Sequence, residues 1–288
     1  MSFRELSARV LEPLSMYTMI FGIVALCQPW VEVLHRYGVS ITLLGLIAIW
    51  EFIGRSGLLF PELFPSIVEI LQSLWIYVST PVMLPHLKAS LYEVGGAIAV
   101  AALSGIPLGI LWGSKRSWLE IVEPLILYAA VVPKIVIFPV FILFLGIDVQ
   151  SKLAVGAIAA FFPISLLTIA GMREVKKVYV DVARTIGASP VQIAKNVYLP
   201  AIAGQVFTGI RIGLGAAVTG ALLAETKIAK AGLGFMIVEY YGQFRIADMY
   251  SLLLFIFILA SLANWAMKSL FGVLSPVSRK SSDAGMYF

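Results

Sequence analysis

The sequence predicts an all-α membrane protein of about six transmembrane helices, with a polar loop of two short helices between the fourth and fifth spans. Three observations carry this prediction. Of 288 residues, 60% are hydrophobic and 13% charged, and the mean hydropathy is +0.96, a balance foreign to soluble domains of this size. Apolar runs approaching the roughly 20 residues of a bilayer crossing lie near Ser40–Gly54, Leu87–Trp112, Ile121–Leu145, Leu153–Gly171, Ala201–Ala224 and Met249–Gly272; the first is short unless it begins before Ser40. Basic residues gather between alternate runs. Lys115 and Arg116 follow the second, Arg173, Lys176, Lys177, Arg184 and Lys195 separate the fourth from the fifth, and Lys268, Arg279 and Lys280 close the chain. Six spans place all of these on one side together with Arg4 and Arg9, and the positive-inside rule makes that side the cytoplasm. Both termini are expected there.

The expected organisation is an amino-terminal cytoplasmic or interfacial segment (1–38), a transmembrane domain (39–273) carrying the loop 175–200, and a cytoplasmic tail (274–288). Leu14–Cys27 is apolar but too short for a straight crossing, and Gln28, Pro29, Glu32, His35 and Arg36 follow it. It reads as an interfacial or packed helix, with a seventh span left open. No small-residue cleavage site follows Cys27, and this lone cysteine can form neither an intramolecular disulfide nor a thiolate cluster. Gly54–Pro85, with Pro61, Pro65, Pro81 and Pro85, is expected outside the cytoplasm and contains an amphipathic helix over Ile67–Tyr77.

The second span carries Gly105, Gly109 and Gly113, and the fifth Gly209, Gly213, Ala217 and Ala221. Small residues four apart make a flat stripe on which another helix can lie closely. These are packing faces first and pathway linings second. In the third span Pro133 and Pro139 are expected to break the hydrogen-bond ladder twice, which is tolerated where the freed carbonyls are buried or line a water-filled cavity. Lys134 lies beside the first break. A lysine at mid-span costs about 2.5–3.5 kcal/mol, against about 0.3–0.6 kcal/mol returned by a Leu or Phe. Arg211, about 15 Å into the fifth span at 1.5 Å per residue, poses the same problem, and Glu93, Glu123 and Glu225 sit nearer the span ends. Two readings stay open: both cations snorkel or bond carbonyls at the breaks, or they form a cationic constriction for an anion. The second makes Pro133, Lys134, Pro139, Arg211 and Glu225 candidate pathway residues.

The loop is the most patterned stretch. Val175, Val178, Val182 and Ile186 recur at three and four among polar neighbours, predicting an amphipathic helix that buries this stripe. Gly187 stops it in a left-handed C′ position. Ser189, Pro190 and Gln192 then supply an N-cap, an N1 proline and a capping box for the next helix. Between the last two spans, Glu225, Lys227, Lys230, Glu239, Arg245 and Asp248 are expected on the outer side.

Several classes are disfavoured. No Gly-x4-Gly-Lys-Ser/Thr phosphate loop is present, so this chain does not bind ATP by that device. The two histidines, His35 and His86, are far apart in sequence, and no Ser-His-Asp set or paired intramembrane carboxylates occur; neither metal ligands nor catalytic residues are assigned. The net charge of +5 reflects basic loops, not nucleic-acid binding.

Asp181-Val182-Ala183, Gly187 and Val197-Tyr198-Leu199-Pro200 hold the spacing of the signature loop of membrane subunits of bacterial ABC importers, Glu-Ala-Ala, Gly and Ile-x-Leu-Pro. Asp181 for Glu and Val182 for Ala are mild departures. Leu63-Phe64-Pro65-Ser66, Ser90-Leu91, Gly105-Ile106-Pro107-Leu108-Gly109, Glu123-Pro124-Leu125, the Pro133–Ile147 stretch, Gly209-Ile210-Arg211, Ala224-Glu225 and Gly232-Leu233-Gly234-Phe235 keep the motif order of the nitrate, sulfonate and taurine branch of these permeases. The resemblance covers about 63–271. It implies a type I permease subunit, working as a homodimer in the inner membrane with two cytoplasmic ATPases and an extracytoplasmic binding protein. ATP and Mg would sit on the partner and no cofactor on this chain. The loop would be a coupling helix, its docking residues Asp181, Ala183, Gly187, Ala188, Ser189, Pro190, Leu199 and Pro200. The solute would be small and anionic, such as a sulfonate, taurine or nitrate. A gradient-coupled secondary transporter is the alternative, against which stand the missing inverted repeats and mid-depth acid.

Overall fold

Every regular element is helical among the residues that the computed structural model describes, 38–57 and 63–274. Among these described residues, five helices are long and apolar enough to cross a membrane: α1 (Gly38–Ser56), α3 (Met83–Gly113), α6 (Val149–Glu174), α10 (Ala203–Glu225) and α12 (Ile246–Leu274). Between them lie α2 (Ile67–Ser79), α4 (Arg116–Val131), α5 (Phe138–Leu145), α7 (Lys177–Thr185), α8 (Pro190–Ile193), α9 (Leu199–Ala201) and α11 (Leu233–Gly242). Within the described residues the first span runs Gly38–Ser56, longer at both ends than Ser40–Gly54. Leu14–Cys27 and the tail from Ser275 lie outside the described residues.

The chain falls into two units, Met1–Glu69 and Ile70–Phe288. In the first, the Leu-Phe-Pro-Ser element closes on α1. The Trp50 indole N–H donates to the Pro65 carbonyl at 3.2 Å, and the Glu51 carboxylate accepts the Ile67 N–H at 2.7 Å. Ser66 caps α2 in a reciprocal box with Glu69: its N–H donates to Glu69 Oε2 at 3.1 Å, and its Oγ accepts the Glu69 N–H at 3.3 Å.

In the second unit α6 lies between α3, parallel to it, and α10, antiparallel. Both glycine stripes pack on α6. A Cβ added at Gly105 would come within 3.2 Å of Ile164, at Gly109 within 2.7 Å of Thr168, and at Gly113 within 2.5 Å of Met172. On the other side Gly209 and Gly213 meet the same Ile164, and Gly220 meets the Val155 carbonyl. The backbones approach because no side chain separates them. Lys115, Arg173 and the polar loop share one end of the bundle, and the 146–148 and 226–245 connections share the far end.

The third predicted span differs from expectation. Ser117–Val131 and Lys134–Leu145 are bent by 86° at one break, followed by a 3-10 turn at Lys134–Ile137. Pro133 makes that break. Pro139 makes no second one, since it sits in the first turn of α5, where its missing N–H has no helical partner to lose. The 224–248 segment contains a packed helix: α11 buries Leu233, Met236 and Tyr240 against Tyr77, Met83 and Leu252.

Candidate functional site

The polar loop is built by local rules. The α7 helix ends in a Schellman motif: the Ala188 N–H donates to the Ala183 carbonyl at 3.0 Å, the Gly187 N–H to the Arg184 carbonyl at 2.9 Å, and Gly187 has φ +78°. The next helix starts two residues later on the expected capping box. The Ser189 N–H donates to Gln192 Oε1 at 2.7 Å, the Gln192 N–H donates to Ser189 Oγ at 3.3 Å, and Pro190 occupies the first turn. A π-helical turn, Ala194–Tyr198, leads into α9, which holds Leu199 and Pro200.

The buried face of α7 differs from the predicted one, and of the predicted stripe only Val175 packs inward. Val180 and Ala183 are buried against Ile193, with Val175 and Ala188 packed around them. Val178 and Val182 are each 58% exposed and Ile186 is 79% exposed. The loop is anchored by its smaller apolar side chains, and the valine and isoleucine stripe, extended by exposed Val191, is left on the surface. Asp181, Gly187, Ser189, Pro190, Leu199 and Pro200 are also exposed, and Ala188 is half-buried.

Lys134 is held at the helix break. Its Nζ donates to the carbonyls of Ala129 at 2.9 Å, Ala130 at 2.8 Å and Val132 at 2.5 Å, and it lies 4.4 Å from the centroid of the Phe162 ring. The ammonium thus caps the carbonyls freed at the end of α4, with all three protons used. Pro133 and Pro139 flank it and are exposed.

Arg211 lies at the same level. Phe162 is half a turn from Ile164, which packs on Gly209 and Gly213, the glycines either side of Arg211. Arg211 Nε donates to Asn264 Oδ1 on α12 at 2.6 Å. In the second unit, Glu123 pairs with Arg173 and Glu174 accepts from Gln205 near the loop end, and Glu93, Glu225 and Asp248 lie at the far end.

Glu93 and Glu225 belong to a buried polar cluster that joins α3, α6, α10 and α11. Glu225, 1% exposed, accepts the Ser90 hydroxyl at 2.6 Å through Oε1 and the Gly234 N–H at 2.6 Å through Oε2. Ser90 Oγ in turn accepts the Leu233 N–H at 2.8 Å, and His86 Nδ1 accepts the Gly232 N–H at 3.2 Å. Gly232 has φ +127°, and a Cβ there would strike the Glu225 carboxylate, so the Gly-Leu-Gly turn is shaped to close over this acid. Beside it Lys152 Nζ pairs with Glu93 Oε1 at 2.5 Å. Glu225 therefore ties helices together by both oxygens, whereas Pro133, Lys134, Pro139 and Arg211 lie about mid-bundle.

Sequence reasoning missed Lys152, Glu93 as its partner, and Asn264. Starting the fourth span at Leu153 left Lys152 just outside it. An ionisable residue counted inside a span requires a partner, and that demand would have pointed to Glu93. Asn264 gives no such signal, because its role depends on where α12 crosses α10.

Comparison with known proteins agrees with this architecture. The family model described as binding-protein-dependent transport system inner membrane component matches residues 105–280. The chain is 32% identical over 214 residues to the taurine transport system permease protein TauC of Escherichia coli (strain K12), covering 72% of this chain and 77% of that protein. It is 33% identical over 195 residues to the putative aliphatic sulfonates transport permease protein SsuC of Bacillus subtilis (strain 168), covering 67% and 70%. With the nitrate import permease protein NrtB of Synechocystis sp. (strain ATCC 27184 / PCC 6803 / Kazusa) it shares 27% identity over 246 residues, covering 82% and 88%. Among solved structures, a chain of the MetNI methionine ABC transporter in inward-facing conformations superposes with a TM-score of 0.59 at 19% identity, over 68% of this chain and 98% of that one. With a family match spanning more than half its length and two relatives above 30% identity, the chain belongs to the inner-membrane permease subunits of binding-protein-dependent ABC importers, and is a transporter subunit and not an enzyme.

Proposed function

We propose that this permease imports a small oxyanion as a homodimer, driven by two cytoplasmic ATPases that dock on the 175–200 loop and supplied by an extracytoplasmic binding protein. Family membership displaces the gradient-coupled alternative. The observation that carries the docking role is the exposed Val178, Val182, Ile186 and Val191 stripe on a loop otherwise fixed by its own caps and buried core. Exposed apolar side chains grouped on a polar loop mark a surface for a protein partner. The anionic solute is supported by two cations at one level of the bundle that, among the described residues, bond carbonyls and an amide and form no salt bridge, and by relatives named for taurine, sulfonates and nitrate.

In this reading ATP and Mg act on the partner and this chain carries no cofactor. Both termini are cytoplasmic, a reading supported by the basic residues Arg4, Arg9, Arg279 and Lys280 near them. Closure of the ATPases pulls the loop, and Val180, Ala183 and Ile193 pass that displacement to the ends of α6 and α10, rocking the spans between outward and inward access.

Co-purification tests this. The tagged chain is expressed with the ATPase encoded beside it, and retained ATPase is measured for wild type and for Gly187→Val. Wild type is expected to retain the ATPase and the variant to lose most of it. Absence of retention by wild type in mild detergent would overturn the docking assignment.

A further inference from the structure

We propose that one face of α10 forms the oxyanion-binding wall of the translocation path, with Arg211 as its binding group and Asn264 as the residue that aims it. This rests on the permease reading above and adds the residues that set its substrate class.

Thr208, Arg211, Gly215 and Thr219 follow one another at steps of three, four and four, which at 3.6 residues per turn confines them to an arc of about 80°. All four are exposed, and a Cβ added at Gly215 would meet nothing within 4 Å. The opposite side of α10, Gly209, Gly213 and Gly220, is the one packed on α6. So α10 has one face committed to the core and a second left uncovered at mid-span, polar along its centre with Ile212 at its edge. A guanidinium turned to lipid there is costly, so such residues face a water-filled cavity or a partner. The stripe of hydroxyls and glycine around Arg211 suits water better than acyl chains. The Thr208 and Thr219 hydroxyls donate to the Gly204 and Gly215 carbonyls at 2.9 and 3.0 Å, which leaves their oxygens able to accept from water.

The two cations at this level are not equivalent. Lys134 has spent its three protons on the carbonyls of its own helix end. Arg211 uses only Nε, on Asn264, and its two terminal nitrogens have no partner among the described residues. That bond fixes the plane of the guanidinium. The free nitrogens present a planar fork, which matches the two-oxygen edge shared by sulfonate, nitrate and carboxylate. Lys134 therefore holds the helix break, and Arg211 meets the solute.

The test uses the assembled transporter in membrane vesicles, with Cys27→Ser removing the one native cysteine. Thr208→Cys, Gly215→Cys and Thr219→Cys are each labelled with two methanethiosulfonates, one bearing a sulfonate and one a trimethylammonium group. Labelling is expected at all three positions, with the sulfonate reagent favoured. Arg211→Gln should lower that preference by about tenfold or more, since a full charge at short range in a low-dielectric site is removed. Arg211→Lys should retain most of it. Asn264→Ala, which keeps the charge and loses the aim, should lower it roughly threefold, and it carries the test if Arg211→Gln fails to assemble. Absence of labelling at the three positions, or a preference unchanged in both Arg211→Gln and Asn264→Ala, overturns the proposal. Wild-type uptake of nitrate, methanesulfonate and taurine is measured alongside. Failure of all three with the labelling preference intact overturns the assignment of these solutes under the proposed function and leaves the wall in place.

Discussion

Lys152 Nζ lies 2.5 Å from Glu93 Oε1, joining α6 to α3 with both side chains almost wholly shielded. Removing one partner strands a charge in the bundle, whereas removing both leaves an apolar contact of similar volume. Glu93→Gln or Lys152→Met alone should destabilise by about 3–5 kcal/mol, and the double variant Glu93→Leu/Lys152→Met should recover most of that loss. Thermal unfolding of the detergent-solubilised chain measures it. Equal losses for the single and double variants would contradict the pairing.

The Glu225 cluster makes a prediction about the turn it holds. Ser90→Ala removes a hydroxyl that both donates to Glu225 and accepts from Leu233, leaving a buried N–H without its acceptor at about 1–3 kcal/mol. Gly232→Ala adds a Cβ against the carboxylate at a positive φ and should be the more damaging of the two. Limited proteolysis in the 226–232 turn should speed up in both variants, and faster for Gly232→Ala.

Docking and stability separate on α7. Val182→Asp changes an exposed side chain, so the chain's own stability should move by no more than about 0.5 kcal/mol, while ATPase retention falls sharply. Ala183→Asp, at a buried position, should lose both together. Pull-down and melting temperature measured on the same preparations distinguish these outcomes.

At the helix break, Lys134→Met uncovers the carbonyls of Ala129, Ala130 and Val132. Leaving such groups without a donor costs about 1–3 kcal/mol, and Lys134→Arg should restore part of it. Melting temperatures should therefore rank wild type, Lys134→Arg, Lys134→Met, with the order visible even in a chain purified without its partners.

Much of the molecule was legible because the signals are local. Hydropathy located the spans, since backbone groups in lipid must be satisfied within a helix whatever the neighbours are. Gly187 and the Ser189–Gln192 box read correctly because cap geometry is settled within five residues. The Gly105 and Gly209 stripes announced close packing, because a missing side chain permits it anywhere.

Tertiary structure alone decided which partner took each face. Spacing showed that α7 had an apolar stripe, but burial went to Val180 and Ala183, because what a helix buries depends on the shape opposite, here Ile193. Pro133 and Pro139 looked alike in sequence, and only the position of the α5 start made one a break and the other a benign first-turn proline. The ionisable residues are the clearest case. Sequence places Lys134, Lys152, Arg211, Glu93 and Glu225 along the spans, but whether each charge meets a carbonyl, an acid, an amide or open space depends on contacts between residues up to 135 positions apart. Periodicity fixes which residues share a helix face; it carries no information on how two helices register, and registry is what pairs these charges.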